Sequence, residues 1–162
     1  MTPEPDALRA HLIELLRGGH AHATFDDAVR DLPAKLRGKV PRGLPYSAWQ
    51  LVEHMRLTQE DILQFSRNYD RSYESPEWPE GYWPSAPEPL DEDDWDDSIK
   101  EFRADREAIE ALVRDPARDL FAPFPWGEGQ TLLREALLVV DHTSYHIGQL
   151  VVVRRLLGAW PE

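Results

Sequence analysis

The chain has 162 residues, of which 41% are hydrophobic, enough to build one sizeable core, so the sequence predicts a single domain over 1–162. Thirty Asp and Glu against eighteen Lys and Arg give a net charge of -12, and with no basic cluster in the chain this excludes a phosphate backbone or an anionic membrane as the expected partner. The absence of cysteine excludes disulfides, thiolate metal sites and a cysteine nucleophile, leaving N and O ligands for any metal.

Leu8, Leu12, Leu15 and Leu16 recur at helical spacing, the pattern stops at Gly18-Gly19, and it resumes with Phe25, Val29, Leu32 and Leu36. This predicts a long helix kinked or broken at the glycines. Pro33, Pro41 and Pro45, with Gly38 and Gly43, mark a connection. Ser47-Ala-Trp-Gln50 then reads as a capping box, and Leu51, Met55, Ile62 and Phe65 carry a second helix to about Ser66.

From Ser66 to Leu90 the chain holds five prolines together with Tyr69, Tyr73, Trp78, Tyr82 and Trp83, which rules out a helix. A connection of this length packs on something or covers a site. Six acids between Asp91 and Asp97 open a third helix, where negative charge meets the positive end of the macrodipole. Its buried stripe is Trp95, Ile99, Phe102, Ile109, Leu112 and Val113. A second Pro/aromatic loop, Asp115 to Gln130, follows. Thr131 caps the last and most apolar helix, Leu132 to about Leu157, and Gly158 and Pro161 stop it. The reading is all-α: four main helices with long Pro/aromatic-rich loops. With no signal-type N-terminus and no run of 18 apolar residues, the expected location is the cytoplasm and no membrane partner is expected.

Three of the six histidines are distinguished by their places on the helices. His142 and His146 are four residues apart, about one turn and about 40° of rotation, so both rings leave the same face. That face also carries Leu138, Val139 and Val153, an apolar setting in which an imidazole needs partners for both nitrogens. Such a pair is either a hydrogen-bonded pair or two ligands of one ion, and the second reading needs a third ligand. His54, mid-way along the second helix on a face with Leu51 and Phe65, is either a hydrogen-bonded core histidine or that third ligand. His22 is a weaker candidate, sharing a stripe with Phe25 and Val29, whereas His11 and His20 read as structural or exposed.

A histidine within Trp49-Gln-Leu-Val-Glu-His54, followed in the last helix by His142-x3-His146 and Gly148-Gln149, resembles the DinB/YfiT-like superfamily over about Ala7 to Trp160. The resemblance implies an up-up-down-down four-helix bundle, a three-histidine site for nickel, zinc or a similar ion, and a homodimer. Better-understood members are thiol-dependent transferases and isomerases that use low-molecular-weight thiols.

Three neutral imidazoles leave the full dipositive charge and an open coordination position, an arrangement suited to activating a thiol or water. Outer groups within reach of such a site are Gln50, Thr58 and Asp61 on the second helix and Glu135, Tyr145 and Gln149 on the last. Gln50 is also a cap residue and Glu135 a first-turn charge, so both have other uses. The aromatic loops either wall a substrate pocket or seal a bundle end. Two functions fit: an enzyme moving a thiol or water onto a small electrophile, or a non-catalytic metal-binding and dimerisation module, stress-related in the second case.

Overall fold

The computed structural model describes residues 4–161 and contains six helices: α1 (Glu4–Arg17), α2 (Phe25–Val29), α3 (Ala34–Arg37), α4 (Ala48–Ser66), α5 (Asp94–Arg114) and α6 (Leu132–Leu156). Among the described residues there is no strand, only an isolated bridge between Pro123 and Thr131. The four helices expected from periodicity are the long ones, α1, α4, α5 and α6, and of the two alternatives for the first, kinked or broken at the glycines, the structure shows the break.

Helix α1 does not continue past the glycines. Gly18 and Gly19 adopt φ of 73° and 93°, a left-handed region in which a Cβ is strained, and the chain leaves the helix there. Thr24 then starts α2 through a capping box with Asp27. Phe25, Val29 and Leu32 are buried as their spacing requires, but two short helices and a turn deliver them to the core.

Helix α4 begins where the capping box places it, with the Ser47 hydroxyl accepting from the Gln50 N–H and the Gln50 side chain accepting from the Ser47 N–H. Helix α5 starts at Asp94, three residues into the acidic run, whose carboxylate accepts the N–H groups of Leu90 and Asp91. Thr131 caps α6, and Gly158, at φ 67°, ends it.

Helix α4 packs against both α5 and α6, and α1 lies against the same two helices. One apolar cluster gathers Phe25, Leu51, Val52, Met55, Trp95, Phe102 and Leu150, with Trp83 packed on its edge. A second gathers Leu12, Leu63, Ile109, Val113, Leu132 and Val139. Each fully buried large side chain contributes about 1.5–3 kcal/mol by leaving water, and this fixes the relative placement of α4 and α6. By length and composition α6 could cross a membrane. Its buried stripe of Ala136, Val139, Leu150 and Val153 belongs to these clusters, so its apolar character is also that of a core helix.

The connection over residues 67–93 is held to α4 by side chains of that helix and its cap. Ser47 donates to the Pro87 carbonyl, Gln50 to the Pro84 carbonyl, and Asp61 accepts the hydroxyls of Tyr73 and Tyr82. Asn68 closes the first turn of the segment by bonding both the N–H and the C=O of Tyr73. The aromatic segment therefore lies along α4.

Candidate metal centre

His54 leaves the buried face of α4, and His142 and His146 leave the face of α6 packed against it. Ring centroids are 4.8 Å apart for His54–His142, 4.6 Å for His54–His146 and 4.4 Å for His142–His146. The three can each offer one nitrogen such that all lie within 4.8 Å of one another, and among the described residues this is the group of three or more potential ligands that could hold a metal ion.

Two of the rings have their orientation set by hydrogen bonds on the far nitrogen. His54 Nδ1 donates to the Tyr82 carbonyl at 2.8 Å, and His146 Nδ1 donates to Gln149 Oε1 at 2.7 Å. Because a carbonyl oxygen only accepts, the proton of each neutral ring sits on Nδ1 and the lone pair on Nε2. The Nε2 atoms of His54 and His142 are 3.0 Å apart. Nitrogens bound at ordinary zinc distances are separated by about 2.9 Å at a right angle and about 3.3 Å at the tetrahedral angle, so the gap fits two ligands of one ion, and without an ion it is an N–H···N hydrogen bond from His142 to His54. The donor set fits a borderline divalent ion such as zinc or nickel.

Burial keeps the rings neutral. It pushes His54 down to about 4, opposed in part by the bond to Tyr82, and pushes His142 down to about 3 with the neighbouring imidazoles adding to the effect. His146 is lowered for the same reason, partly offset by Gln149. A ligand imidazole must be unprotonated, so at neutral pH all three are ready to bind.

Trp83 lies flat on His54, with centroids 3.7 Å apart and planes 9° from parallel, and meets His146 edge-on at 5.9 Å. The 67–93 segment thus supplies an indole wall and, at Tyr82, the carbonyl that orients His54. The sequence placed Tyr82 and Trp83 in a covering segment but assigned neither to a histidine. The aromatic content of the segment was the available signal for Trp83, whereas no sequence signal marks one carbonyl among many.

The outer candidates separate on inspection. Gln149 bonds His146 directly, and Asp61 reaches the site through Tyr82. Gln50 is engaged in its cap and with Pro84. Tyr145 is exposed, with its ring 5.0 Å from that of His146. Glu135 is buried and paired with Arg134 at 2.7 Å, not with a histidine. The Thr58 hydroxyl is buried with no protein partner. His22 is exposed, bonds the Ala23 carbonyl and is not brought to the group; His11 is exposed and pairs with Glu14.

An all-α chain that brings three helix-borne histidines to one point defines a class of helical proteins with a pre-formed N-ligand site. A family profile described as the DinB superfamily matches residues 18–150, and the chain belongs to that superfamily. The match contains all three histidines. No curated protein and no solved structure matches the chain.

Proposed function

We propose that this chain is a metal-dependent enzyme in which His54, His142 and His146 hold one nickel or zinc ion, and in which a low-molecular-weight thiol or water attacks a small electrophilic substrate. The observation that carries the reading is the convergence of three neutral imidazoles, two of them with Nδ1 already committed to Tyr82 and Gln149. When bound, the ion supplies Lewis acidity and lowers the pKa of a thiol or water toward neutrality.

The chain's own groups orient the ligand rings and shield one of them. Tyr82 and Gln149 fix the two ring planes, and Trp83 covers one face of His54. Having no cysteine, the protein takes its sulfur from a cosubstrate: the thiol sulfur bonds the electrophilic atom, the leaving group departs with its electron pair, and the thiol proton passes to solvent. A cytoplasmic location, where low-molecular-weight thiols stay reduced, belongs to the same proposal.

We further take α1, α4, α5 and α6 to form the up-up-down-down bundle of the superfamily, and the protein to be a homodimer. The feature that supports a dimer is an apolar stripe of α6 facing solvent, with Leu137, Tyr145, Val152 and Leu156 all about half exposed or more.

The test uses protein purified without an affinity tag. One equivalent of metal per chain is expected, lost in His142→Ala, and cobalt-substituted protein should gain a sulfur-to-metal charge-transfer band when a small thiol is added. A cobalt spectrum indifferent to thiols and to small anions would mean a closed coordination sphere, and the non-catalytic module would replace the enzyme.

A further inference from the structure

Five aromatic rings form a chain through the metal centre. Tyr46 stacks on Trp83 with centroids 6.5 Å apart and planes 21° from parallel, and Trp83 lies on His54 at 3.7 Å. His54 meets His146 at 4.6 Å, and His146 meets Tyr145 edge-on at 5.0 Å. The two ends of the chain come from distant segments, the approach to α4 and the middle of α6. They nonetheless stand within electrostatic reach of each other, because the Tyr46 phenol is raised first by burial and then by the Tyr145 phenol. The arc of rings therefore curls back on itself, with a phenol at either end and two metal-binding imidazoles between them.

Packing accounts for the two tyrosine rings but not for their hydroxyls. Tyr46 immediately precedes the N-cap Ser47 and packs on the cluster that contains Trp49 and Leu51, the place of a hydrophobic staple, where Phe would serve equally well. Tyr145 is 65% exposed and belongs to the open stripe of α6, so the pair stands at the edge of the face assigned to the dimer. Neither hydroxyl has a hydrogen bond among the described residues. By contrast, Tyr73 and Tyr82 both commit their phenols to Asp61. Two uncommitted O–H donors beside a site for a dipositive ion favour an electron-rich acceptor, the oxygen of a carbonyl or carboxylate, on which they are aimed at developing or resident negative charge.

We propose that Tyr46 and Tyr145 donate their phenolic O–H groups to a carbonyl or carboxylate oxygen of the substrate, which makes the substrate an oxygen-bearing electrophile and not an alkyl halide. The inference rests on the metal-dependent reaction proposed above and narrows its substrate class.

The experiment follows the visible spectrum of the cobalt-substituted full chain during titration with acetate and, separately, with ethanethiol, in the unsubstituted sequence, in Tyr46→Phe and in Tyr145→Phe. Acetate carries the acceptor oxygen and ethanethiol does not. Acetate affinity should fall about tenfold in Tyr46→Phe and by a smaller factor in the more exposed Tyr145→Phe. Ethanethiol affinity and cobalt content should be the same in all three proteins. Equal weakening of the two probes would reduce the tyrosines to packing around the imidazoles, and unchanged acetate affinity would remove the phenols from the site; either result overturns the proposal. A spectrum that responds to neither probe before any substitution marks a different failure, that of the open metal site itself, and the proposal falls with it.

Discussion

Asp61 accepts the phenolic proton of Tyr82 at 2.8 Å, and the carbonyl of that same tyrosine accepts the Nδ1 proton of His54 at 2.8 Å. The carboxylate thus positions a metal-binding imidazole through one intervening residue, without touching it. Burial, and then this bond, push the Tyr82 phenol up to about 12, so the donor stays protonated across the working range of the protein.

Replacing Asp61 by Ala should therefore free the 67–93 segment from α4 and let the His54 ring turn. Groups that orient a ligand imidazole are worth about 10–100-fold in metal affinity, and the lower end is expected here because the Tyr82 carbonyl itself remains. Tyr82→Phe should have a similar but smaller effect, since Tyr73 keeps its own bond to Asp61. Chelator competition measures both, and unchanged affinity in the pair would show that His54 is held by packing against Trp83 alone.

Gln149 acts directly on His146, and its substitutions should move affinity in opposite directions. Gln149→Ala removes the acceptor for Nδ1 and should weaken binding about tenfold or more. Gln149→Glu offers a charged acceptor, makes the ring a better donor to the ion and should strengthen binding. A weaker ion in both variants would count against an orienting role.

The pairing of His142 and His146 was legible because a four-residue spacing fixes two rings on one face of a helix that Thr131 starts, whereas the addition of His54, on the helix that Ser47 starts, rested on the resemblance to the DinB superfamily. The short helices α2 and α3 were not, since five and four residues are too few to establish a period, and Phe25 and Val29 fit a continued helix equally well. Periodicity could place Glu135 and Thr58 on the right faces but could not say what each would touch. Glu135 is taken by its neighbour Arg134, and Thr58 by nothing. The path of residues 67–93 depends on contacts made only after folding, with Ser47, Gln50 and Asp61, so Tyr82 and Trp83 could be placed in a covering loop but not on a particular histidine.

The depressed histidines set the acid stability of the metal-free protein. Unfolded imidazoles take up protons near 6.5, whereas His54 and His142 in the folded chain do so at about 4 and about 3. Between those values the unfolded state binds more protons, so stability rises with pH there. The contribution is full above 6.5 and is lost progressively as the pH falls toward 4 and 3. Urea unfolding of apo-protein from pH 8 to 4 should show this fall, and His142→Gln should show a shallower one. Equal slopes would mean that carboxylates alone govern the acid transition. By the same values the ion should be retained below pH 6, where a free imidazole would already be protonated.

Arg154 joins the two ends of the fold away from the site. It is 3% exposed, and its guanidinium donates to the carbonyls of Ala28, Arg30 and Ala159. Arg154→Met fills similar space but leaves those carbonyls without their donor, at a cost of about 3 kcal/mol. For a chain of this size that lowers Tm by about 10 °C. Metal content should be unchanged, and a loss of metal without a fall in Tm would contradict the structural role.

The proposed dimer makes the sharpest demand on charge. On the exposed stripe of α6, Asp141 and Arg155 stand seven residues before and seven after Gly148, and neither has an ion-pair partner among the described residues. A two-fold interface is self-complementary, so α6 helices crossing antiparallel at Gly148 would set Asp141 of one protomer against Arg155 of the partner subunit. Nothing lies within 4 Å of a Cβ built on Gly148, so the helix surface is open there, and the absence of a side chain would let the two backbones approach closely. Leu137, Tyr145, Val152 and Leu156 would supply the apolar area on either side. Asp141→Arg should then place like charges opposite each other and shift sedimentation equilibrium toward monomer, while the swapped pair Asp141→Arg/Arg155→Asp restores the dimer. The monomer fold should be untouched throughout, because both side chains are exposed. A protein that is monomeric at micromolar concentration before any substitution would rule out the dimer, and a dimer that ignores the single charge reversal would place its interface on another face.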